Sequence, residues 1–416
     1  MEIMYRSGSD NNFIRLMSVL VAGVLFFAIV YGCGRINAAK SLSEAGKGVA
    51  SSGDYKAPEI EETTGEYTDM EALKDARIAL GITPDTISQK CKDQAGRYYY
   101  DHMDAKYHEL YAEILMILEK HASEVLIDAS NTEEIKYAFL CVFGDHPEIY
   151  WIEGYSYGHY SGFLKEVFVF SGKYTYTEAE CELMQPKIDE YAAAATRGLS
   201  DYTSQYEKVK HIYDYVVKNT EYDKNARDNQ NILSVFVHGK SVCQGYAKAI
   251  QYLLNSKKVQ CCMVTGRTYD GTGHAWNLVS IDGEYYYLDA TWGEGSDIRP
   301  VNYDFLNVSD AEMASTHFPD NPVEMPACTA TDANYYVREG LYYSAYNEQK
   351  LKTVFKQAQK SGDGYVAIKL DDKATFDNFY ERLVNQSGVF NLLPEGVGSV
   401  QYTSNESQNI LIFIFQ

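Results

Sequence analysis

Three residues whose side chains can carry out acyl transfer stand in the order Cys243, His274 and Asp289. A thiol attacks an amide carbonyl as the thiolate, so it needs a base that accepts its proton and an acidic group that orients the base. Taken singly, each residue type is more often structural, as a buried thiol, a packed imidazole or a turn carboxylate. In this order, and at the boundaries of predicted elements, they predict a cysteine nucleophile with its base and orienting acid.

A predicted helix positions Cys243. Apolar residues recur at helical spacing at Ala247, Ile250 and Leu254, and Ser241 is the expected N-cap. Cys243 then lies in the first turn, where unpaired backbone N–H groups and the positive end of the helix dipole favour a thiolate. The same N–H groups are suited to an oxyanion.

A predicted hairpin brings the other two residues together. Strands are expected at His274–Ile281 and Glu284–Ala290, and the Asp-Gly dipeptide at 282–283 is typical of a two-residue turn. In the register that this turn sets, His274 and Asp289 lie on the same face as diagonal neighbours. Asp289 is therefore expected to orient His274, and His274 to deprotonate the cysteine.

Three short motifs carry a family resemblance. They are Val242-Cys-Gln-Gly-Tyr-Ala247, Gly273-His-Ala-Trp-Asn277 and Leu288-Asp-Ala-Thr-Trp292. As a set they resemble the core of the transglutaminase-like superfamily, in the version found in exported bacterial proteins, over about 206–292. The resemblance implies a papain-like α+β fold, with a cysteine-bearing helix packed on an antiparallel sheet. It assigns Cys243 as nucleophile, His274 as base and Asp289 as orienting acid.

The resemblance also raises the question of a side-chain donor to the oxyanion upstream of the cysteine. Tyr222 and Gln230 are the candidates, and Gln244 is a weaker one. No EF-hand loop is present in the sequence, so calcium control of the kind known in the family is not expected. The eight cysteines lack the paired spacing of zinc or haem sites, so we predict no metal site and no cofactor.

Composition and the N-terminal segment bear on location. A net charge of −21 over 416 residues argues against nucleic acid as a partner. Leu16–Gly32 is almost continuously apolar, and Cys33 follows it in a context that resembles a lipoprotein cleavage box. Either a lipid anchor at Cys33 or an uncleaved membrane helix is expected, with the folded part on the outer face of the cell membrane.

The chain is long enough for several folded units. We predict a signal peptide or anchor at 1–40, a solvated linker at 41–69 and a mainly helical domain at 70–198. A transglutaminase-like catalytic domain is expected at 199–326, and a small α/β domain at 327–416.

Two functions follow from these predictions. The first is a membrane-tethered extracellular cysteine acyl-transfer enzyme, transglutaminase-like or protease/amidase, that acts on peptide or protein amides through an acyl-thioester on Cys243. Its substrate would be a peptide or protein, including one associated with the cell wall. The alternative is a non-catalytic cell-surface binding module with the same fold.

Overall fold

The structure is a computed structural model that describes residues 2–5, 55–63, 69–161, 166–393, 397 and 399–415. Its residues divide into two compact units. The first, here called the site unit, contains Ser52–Thr291 and His317–Ala330. The second, here called the C-terminal unit, contains Trp292–Thr316, Thr331–Gln416 and the strand at Glu2–Tyr5.

The α-helices are numbered in chain order. They are α1 Met70–Ala79, α2 Pro84–Asp93, α3 Tyr98–His102, α4 His108–Glu119, α5 Thr132–Asp145, α6 Glu178–Ala195, α7 Gln205–Asn219, α8 Ile232–Phe236, α9 Cys243–Ser256, α10 Asp310–Met313, α11 Tyr335–Arg338, α12 Glu348–Ser361 and α13 Lys373–Tyr380. A π-helical turn at Glu381–Asn385 continues α13.

The strands are likewise numbered in chain order. They are β1 Glu2–Tyr5, β2 Glu59–Thr63, β3 Val125–Ile127, β4 Ile152–Ser161, β5 Glu166–Tyr174, β6 Glu221–Tyr222, β7 Lys240–Ser241, β8 Cys261–Thr268, β9 Gly273–Ile281, β10 Glu284–Leu288, β11 His317–Pro319, β12 Tyr342–Tyr343, β13 Tyr365–Leu370, β14 Ser399–Asn405 and β15 Ile410–Phe415. This mixture of helices and largely antiparallel sheets confirms the predicted α+β class.

The centre of the site unit is α9 packed on an antiparallel sheet of order β10-β9-β8-β11. Eleven of the fourteen residues of α9 are buried, which explains why its sequence is apolar on most sides. Asn277 of β9 donates a hydrogen bond from Nδ2 to the carbonyl oxygen of Ala247, across 2.9 Å. This bond ties the helix to the strand that carries His274.

Residues 70–198 add helices α1–α6 and strands β3–β5, which form a second sheet of order β2-β4-β5-β3 together with the preceding strand β2. The predicted boundary at 198/199 falls within the site unit, because residues on both sides of it belong to that compact unit. The predicted linker at 41–69 requires a correction, since Glu59–Thr63 pairs in parallel with β4. A Cβ on Gly154 would overlap the Glu59 carbonyl, so the missing side chain permits this close approach.

The C-terminal unit contains a sheet of order β1-β14-β15-β13-β12, in which β12 alone runs parallel to its neighbour β13. Helices α12 and α13 bury apolar residues such as Leu351, Phe355 and Phe379 against strand residues such as Phe413. This is the helix and strand mixture expected for a small α/β unit. The chain enters the C-terminal unit after Thr291, returns to the site unit after Thr316 and enters the C-terminal unit again at Thr331. The C-terminal unit therefore begins before the predicted boundary at 326/327.

A buried ion pair lies in the C-terminal unit. Arg299 contacts Asp304 at 2.6 Å, and both side chains are nearly inaccessible to solvent. Asp304 also accepts hydrogen bonds from Tyr336 Oη at 2.6 Å and Asn405 Nδ2 at 2.8 Å. These bonds compensate for the removal of the carboxylate from water.

The predicted membrane segment Leu16–Gly32 and the predicted lipidation site Cys33 lie outside the described residues. Among the helices of the described residues, none is sufficiently long and apolar to cross a membrane. The seven cysteines of the described residues are free thiols: Cys91, Cys141, Cys181, Cys243, Cys261, Cys262 and Cys328.

Candidate active site

Cys243 is the first residue of α9 and is fully buried. The N-cap of α9 is Val242, whose side chain makes no capping hydrogen bond, and not Ser241 as the sequence predicted. Ser241 instead ends β7, and its hydroxyl lies 2.6 Å from that of Ser234. Because Val242 has no capping side chain, no side-chain oxygen from the N-cap competes for the N–H groups of the first turn beside Cys243.

Gly245 lies in the first turn of α9, two residues after Cys243, where there is no room for a side chain. A Cβ at this position would overlap the hydroxyl oxygens of Ser241 and Ser234. Any larger residue would therefore push the start of α9 away from these serines. The glycine allows strand β7 and the helix to pack directly beside Cys243.

The hairpin β9–β10 forms in the predicted register, with Ile281 opposite Glu284. Asp282 and Gly283 form the turn, with φ values of 54° and 91°. The ladder ends at Leu288, and Asp289 follows it directly. Asp289 Oδ2 accepts a hydrogen bond from His274 Nε2 at 2.8 Å.

The remaining oxygen of the Asp289 carboxylate is also held. Oδ1 accepts the backbone N–H of Thr291 at 2.8 Å. The Asp289 backbone carbonyl accepts the Tyr213 hydroxyl at 3.2 Å. A fully buried carboxylate is costly unless its oxygens are bonded, so the hydrogen bonds to Oδ1 and Oδ2 make an ionised Asp289 tolerable inside the protein.

The charges of this cluster favour a protonated His274. Burial by itself would lower the pKa of His274, but the Asp289 carboxylate and the Cys243 thiolate outweigh burial and raise it to about 10. Burial would likewise raise the pKa of Asp289, yet the neighbouring histidines lower it. Because Nε2 of His274 faces Asp289, Nδ1 is the ring nitrogen that is left for a proton transfer with Cys243. The geometry thus suits a thiolate–imidazolium pair oriented by a carboxylate.

A second histidine, His317, joins this cluster and was not recognised from the sequence. Its Nε2 lies 3.2 Å from Asp289 Oδ2, the same oxygen that His274 contacts. Burial lowers the pKa of His317, although Asp289 opposes this shift. A neutral His317 therefore donates its Nε2–H to the carboxylate. The chain reaches this position through β11, which pairs with β8 at Thr268.

Residues 191–290 match the model of the transglutaminase-like superfamily. This range includes Cys243, His274 and Asp289, and it covers about a quarter of the chain. Residues 191–290 are a transglutaminase-like domain. The predicted family is confirmed, and so is its α+β arrangement of a cysteine-bearing helix on an antiparallel sheet.

Three known proteins resemble part of the chain. Kyphoscoliosis peptidase of Mus musculus is 30% identical over 146 residues, which is 30% of this chain and 22% of that protein. The Homo sapiens kyphoscoliosis peptidase is 29% identical over 168 residues, covering 32% of this chain and 25% of the human protein. A crystal structure of a transglutaminase aligns at 16% identity over 34% of this chain and 44% of its own, with a TM-score of 0.25. The chain thus spans about a quarter of the length of these two peptidases.

The three predicted oxyanion donors, Tyr222, Gln230 and Gln244, have different surroundings in the structure. Gln244 follows the nucleophile and donates from Nε2 to the backbone carbonyl of Gln230 at 3.0 Å. Gln230 donates from its own Nε2 to Asn229 Oδ1 at 2.9 Å. Tyr222 lies in β6, opposite Ser241 of β7. The structure therefore brings Gln230 and Gln244 into contact, and it engages the amide N–H of each in a bond within the protein.

His274, Asp289 and His317 are also the residue types that hold zinc. Their ligand atoms lie within 4.8 Å of one another, and all three side chains are buried. The same atoms already form the two hydrogen bonds to Asp289 Oδ2. A metal ion here would replace the protons of the cluster, including the one that links Asp289 to His274. These atoms therefore cannot bind a metal ion while Asp289 orients His274 through a hydrogen bond.

Proposed function

We propose that this protein is a cysteine acyl-transfer enzyme that acts on amides of peptides or proteins. The observation that carries the proposal is the 2.8 Å bond between buried His274 and buried Asp289, with His274 interacting with Cys243 at the start of α9. A cysteine in this setting is a nucleophile with its proton acceptor and orienting group in place. The family match and the two similar peptidases support chemistry at an amide.

In the first half of the reaction, the thiol proton of Cys243 resides on His274. The sulfur attacks the amide carbon, the carbonyl electrons move to oxygen, and a tetrahedral oxyanion forms. Backbone N–H groups in the first turn of α9 are the donors that stabilise this oxyanion. Collapse of the intermediate breaks the carbon–nitrogen bond, and His274 gives its proton to the departing amine.

The second half begins with an acyl-thioester on Cys243 and a neutral His274. His274 accepts a proton from the incoming water or primary amine as that molecule attacks the thioester carbon. The carbon–sulfur bond breaks and the thiolate returns, again paired with a protonated His274. Water yields a carboxylic acid and an amine yields a new amide, so hydrolysis and transfer share one intermediate.

A thiol probe and an intermediate trap test this proposal. Iodoacetamide offered to the folded protein is expected to label Cys243 before the other buried cysteines, since burial raises the pKa of Cys141 and Cys261. His274→Ala should slow labelling of Cys243 and leave the global fold intact by circular dichroism. Equal labelling rates in the two proteins would contradict the proposal. The non-catalytic binding module would instead retain every activity of the protein in Cys243→Ala.

We also propose that the protein is exported and anchored on the outer face of the cell membrane, where a peptide or a cell-wall-associated protein is its substrate. The apolar sequence from Leu16 to Gly32, followed by Cys33, supports the anchor. Cys33→Ser separates the two kinds of anchor. A lipid anchor predicts that the variant leaves the membrane fraction, whereas a spanning helix predicts that it stays. Parent protein found only in the cytoplasmic fraction would refute both.

A further inference from the structure

Residues 55–58, here called the Tyr55 arm, lead from an edge strand to the Cys243 site. The arm continues into β2, which pairs in parallel with β4. Lys173 forms ion pairs with Glu59 at 3.4 Å and with Glu61 at 2.7 Å. These contacts fix the arm at the end remote from the site.

The side chain of Tyr55 packs next to the catalytic base. A Cβ on Gly273 would lie 3.7 Å from Tyr55 Cδ1, so Tyr55 lies beside the space where the residue directly before His274 lacks a side chain. Burial and the charge of the Cys243 thiolate raise the pKa of Tyr55 to about 12, while Thr265 lowers it in part. Tyr55 is therefore partly buried beside the residue that precedes His274.

The backbone of the arm is bound on the nucleophile side. The N–H of Lys56 donates to Gln230 Oε1 at 2.9 Å. Gln230 is in turn bonded through its carbonyl to Gln244, the residue after Cys243. Main-chain hydrogen bonding combined with a site for one side chain is how proteins commonly bind an extended peptide.

We propose that the Tyr55 arm is an internal pseudo-substrate, which occupies the place where an extended peptide with an aromatic side chain binds. The aromatic side chain of the substrate would contact Gly273, and its following N–H would pair with Gln230. This inference rests on the proposed acyl-transfer function and names the class of peptide that the site takes. Because the arm is tethered, it competes with free peptide at an effective concentration in the millimolar range.

Removal of the aromatic ring in the full chain is the first test. Tyr55→Ala is expected to increase the rate of Cys243 alkylation by iodoacetamide by about tenfold, since a tethered competitor is lost. Tyr202→Ala is the matched control, because Tyr202 is 99% exposed and distant in sequence from the motifs. Gly154→Ala acts from a distance: its Cβ would overlap the Glu59 carbonyl and loosen β2. Gly154→Ala should therefore also increase the rate of Cys243 alkylation, as Tyr55→Ala does.

Peptide binding is the second test and does not depend on catalysis. A fluorescent hexapeptide with the sequence of residues 55–60 is expected to bind the Tyr55→Ala protein at least tenfold more tightly than the parent protein. The same peptide with alanine in place of tyrosine should bind weakly to both. Fluorescence anisotropy gives the affinities, and unchanged circular dichroism confirms that the variant is folded.

The outcomes separate this inference from the proposed function. If His274→Ala slows alkylation but Tyr55→Ala leaves the rate unchanged or lowers it, the pseudo-substrate is refuted and the acyl-transfer proposal stands. If His274→Ala has no effect, the proposed function fails, and peptide anisotropy alone decides the inference. Equal peptide affinity for the parent and Tyr55→Ala proteins would overturn it.

Discussion

His317 donates a hydrogen bond from Nε2 to Oδ2 of Asp289 across 3.2 Å. That oxygen also accepts the bond from His274 at 2.8 Å, so one carboxylate oxygen links two imidazole rings. Trp276 packs near both, with ring centroids 6.0 Å from His274 and 5.0 Å from His317. We interpret His317 as a positioning residue, which holds Asp289 while Asp289 holds the base.

Replacement of His317 tests this interpretation. His317→Ala leaves Asp289 Oδ2 with one donor fewer, and we expect kcat/KM for amide turnover to fall by about 10- to 100-fold, as for other residues that orient a catalytic group. His317→Gln places an N–H near the position of Nε2 and should recover most of that loss. Steady-state kinetics distinguish the two variants. If both lose activity equally while their stabilities differ, the role of His317 is structural only.

The pH dependence reports on Asp289. The pKa of His274 is raised to about 10, so the imidazolium persists through neutral pH and is lost only as pH rises through that value. Asp289→Asn removes the negative charge that is the largest of the contributions raising this pKa. We expect the alkaline limb of the kcat/KM profile to move to lower pH by about 1 to 3 units. A limb that stays in place would show that Asp289 does not set the charge of His274.

Gln244 allows a test of the predicted oxyanion donors. Its Nε2 is bonded to the Gln230 carbonyl, and its buried Oε1 has no hydrogen-bond partner among the residues that the structure describes. If backbone N–H groups stabilise the oxyanion, Gln244→Ala should lower kcat by less than about tenfold. Loss of a direct oxyanion donor costs about 10²–10³-fold. Single-turnover acylation measures this step, and a loss in the larger range would identify Gln244 as a donor.

Added zinc should inhibit the proposed acyl transfer. His274, Asp289 and His317 present three ligand atoms within 4.8 Å, and a metal bound by them would displace the proton between Asp289 and His274. We expect Zn²⁺ to inhibit turnover reversibly, with EDTA restoring the rate. His317→Ala removes one ligand and should weaken inhibition by at least tenfold. Equal inhibition of the two proteins would place the zinc elsewhere, for example on the Cys243 thiolate alone.

Stability of the C-terminal unit depends on the buried pair Arg299–Asp304. Asp304→Ala leaves the Arg299 guanidinium buried without its carboxylate, and the free energy of unfolding should fall by about 3–5 kcal/mol. Asp332→Ala is the matched control on the exposed surface, for which a change within about 0.5 kcal/mol is expected. Urea unfolding provides the comparison. Similar losses in both variants would contradict a special role for the pair.

The contact between His274 and Asp289 could be predicted because it is local. The turn at Asp282-Gly283 requires positive φ values at both positions, and that requirement fixes which residues of the two strands lie opposite each other. The spacing of the apolar residues after Cys243 likewise predicted that Cys243 lies in the first turn of a buried helix. The predicted N-cap was wrong by one residue, because the Ser241 hydroxyl bonds to the Ser234 hydroxyl instead.

The sequence by itself therefore determined the α+β class, the family, and the order and local setting of Cys243, His274 and Asp289. Only the tertiary structure decided that His317 shares Asp289 and that Tyr55 lies beside Gly273, the residue before His274. Both arrive on segments far away along the chain, through pairing of β11 with β8 and of β2 with β4. A hairpin is fixed by its own turn, whereas such long-range pairing depends on the fit of surfaces that leaves no periodic signal in either segment.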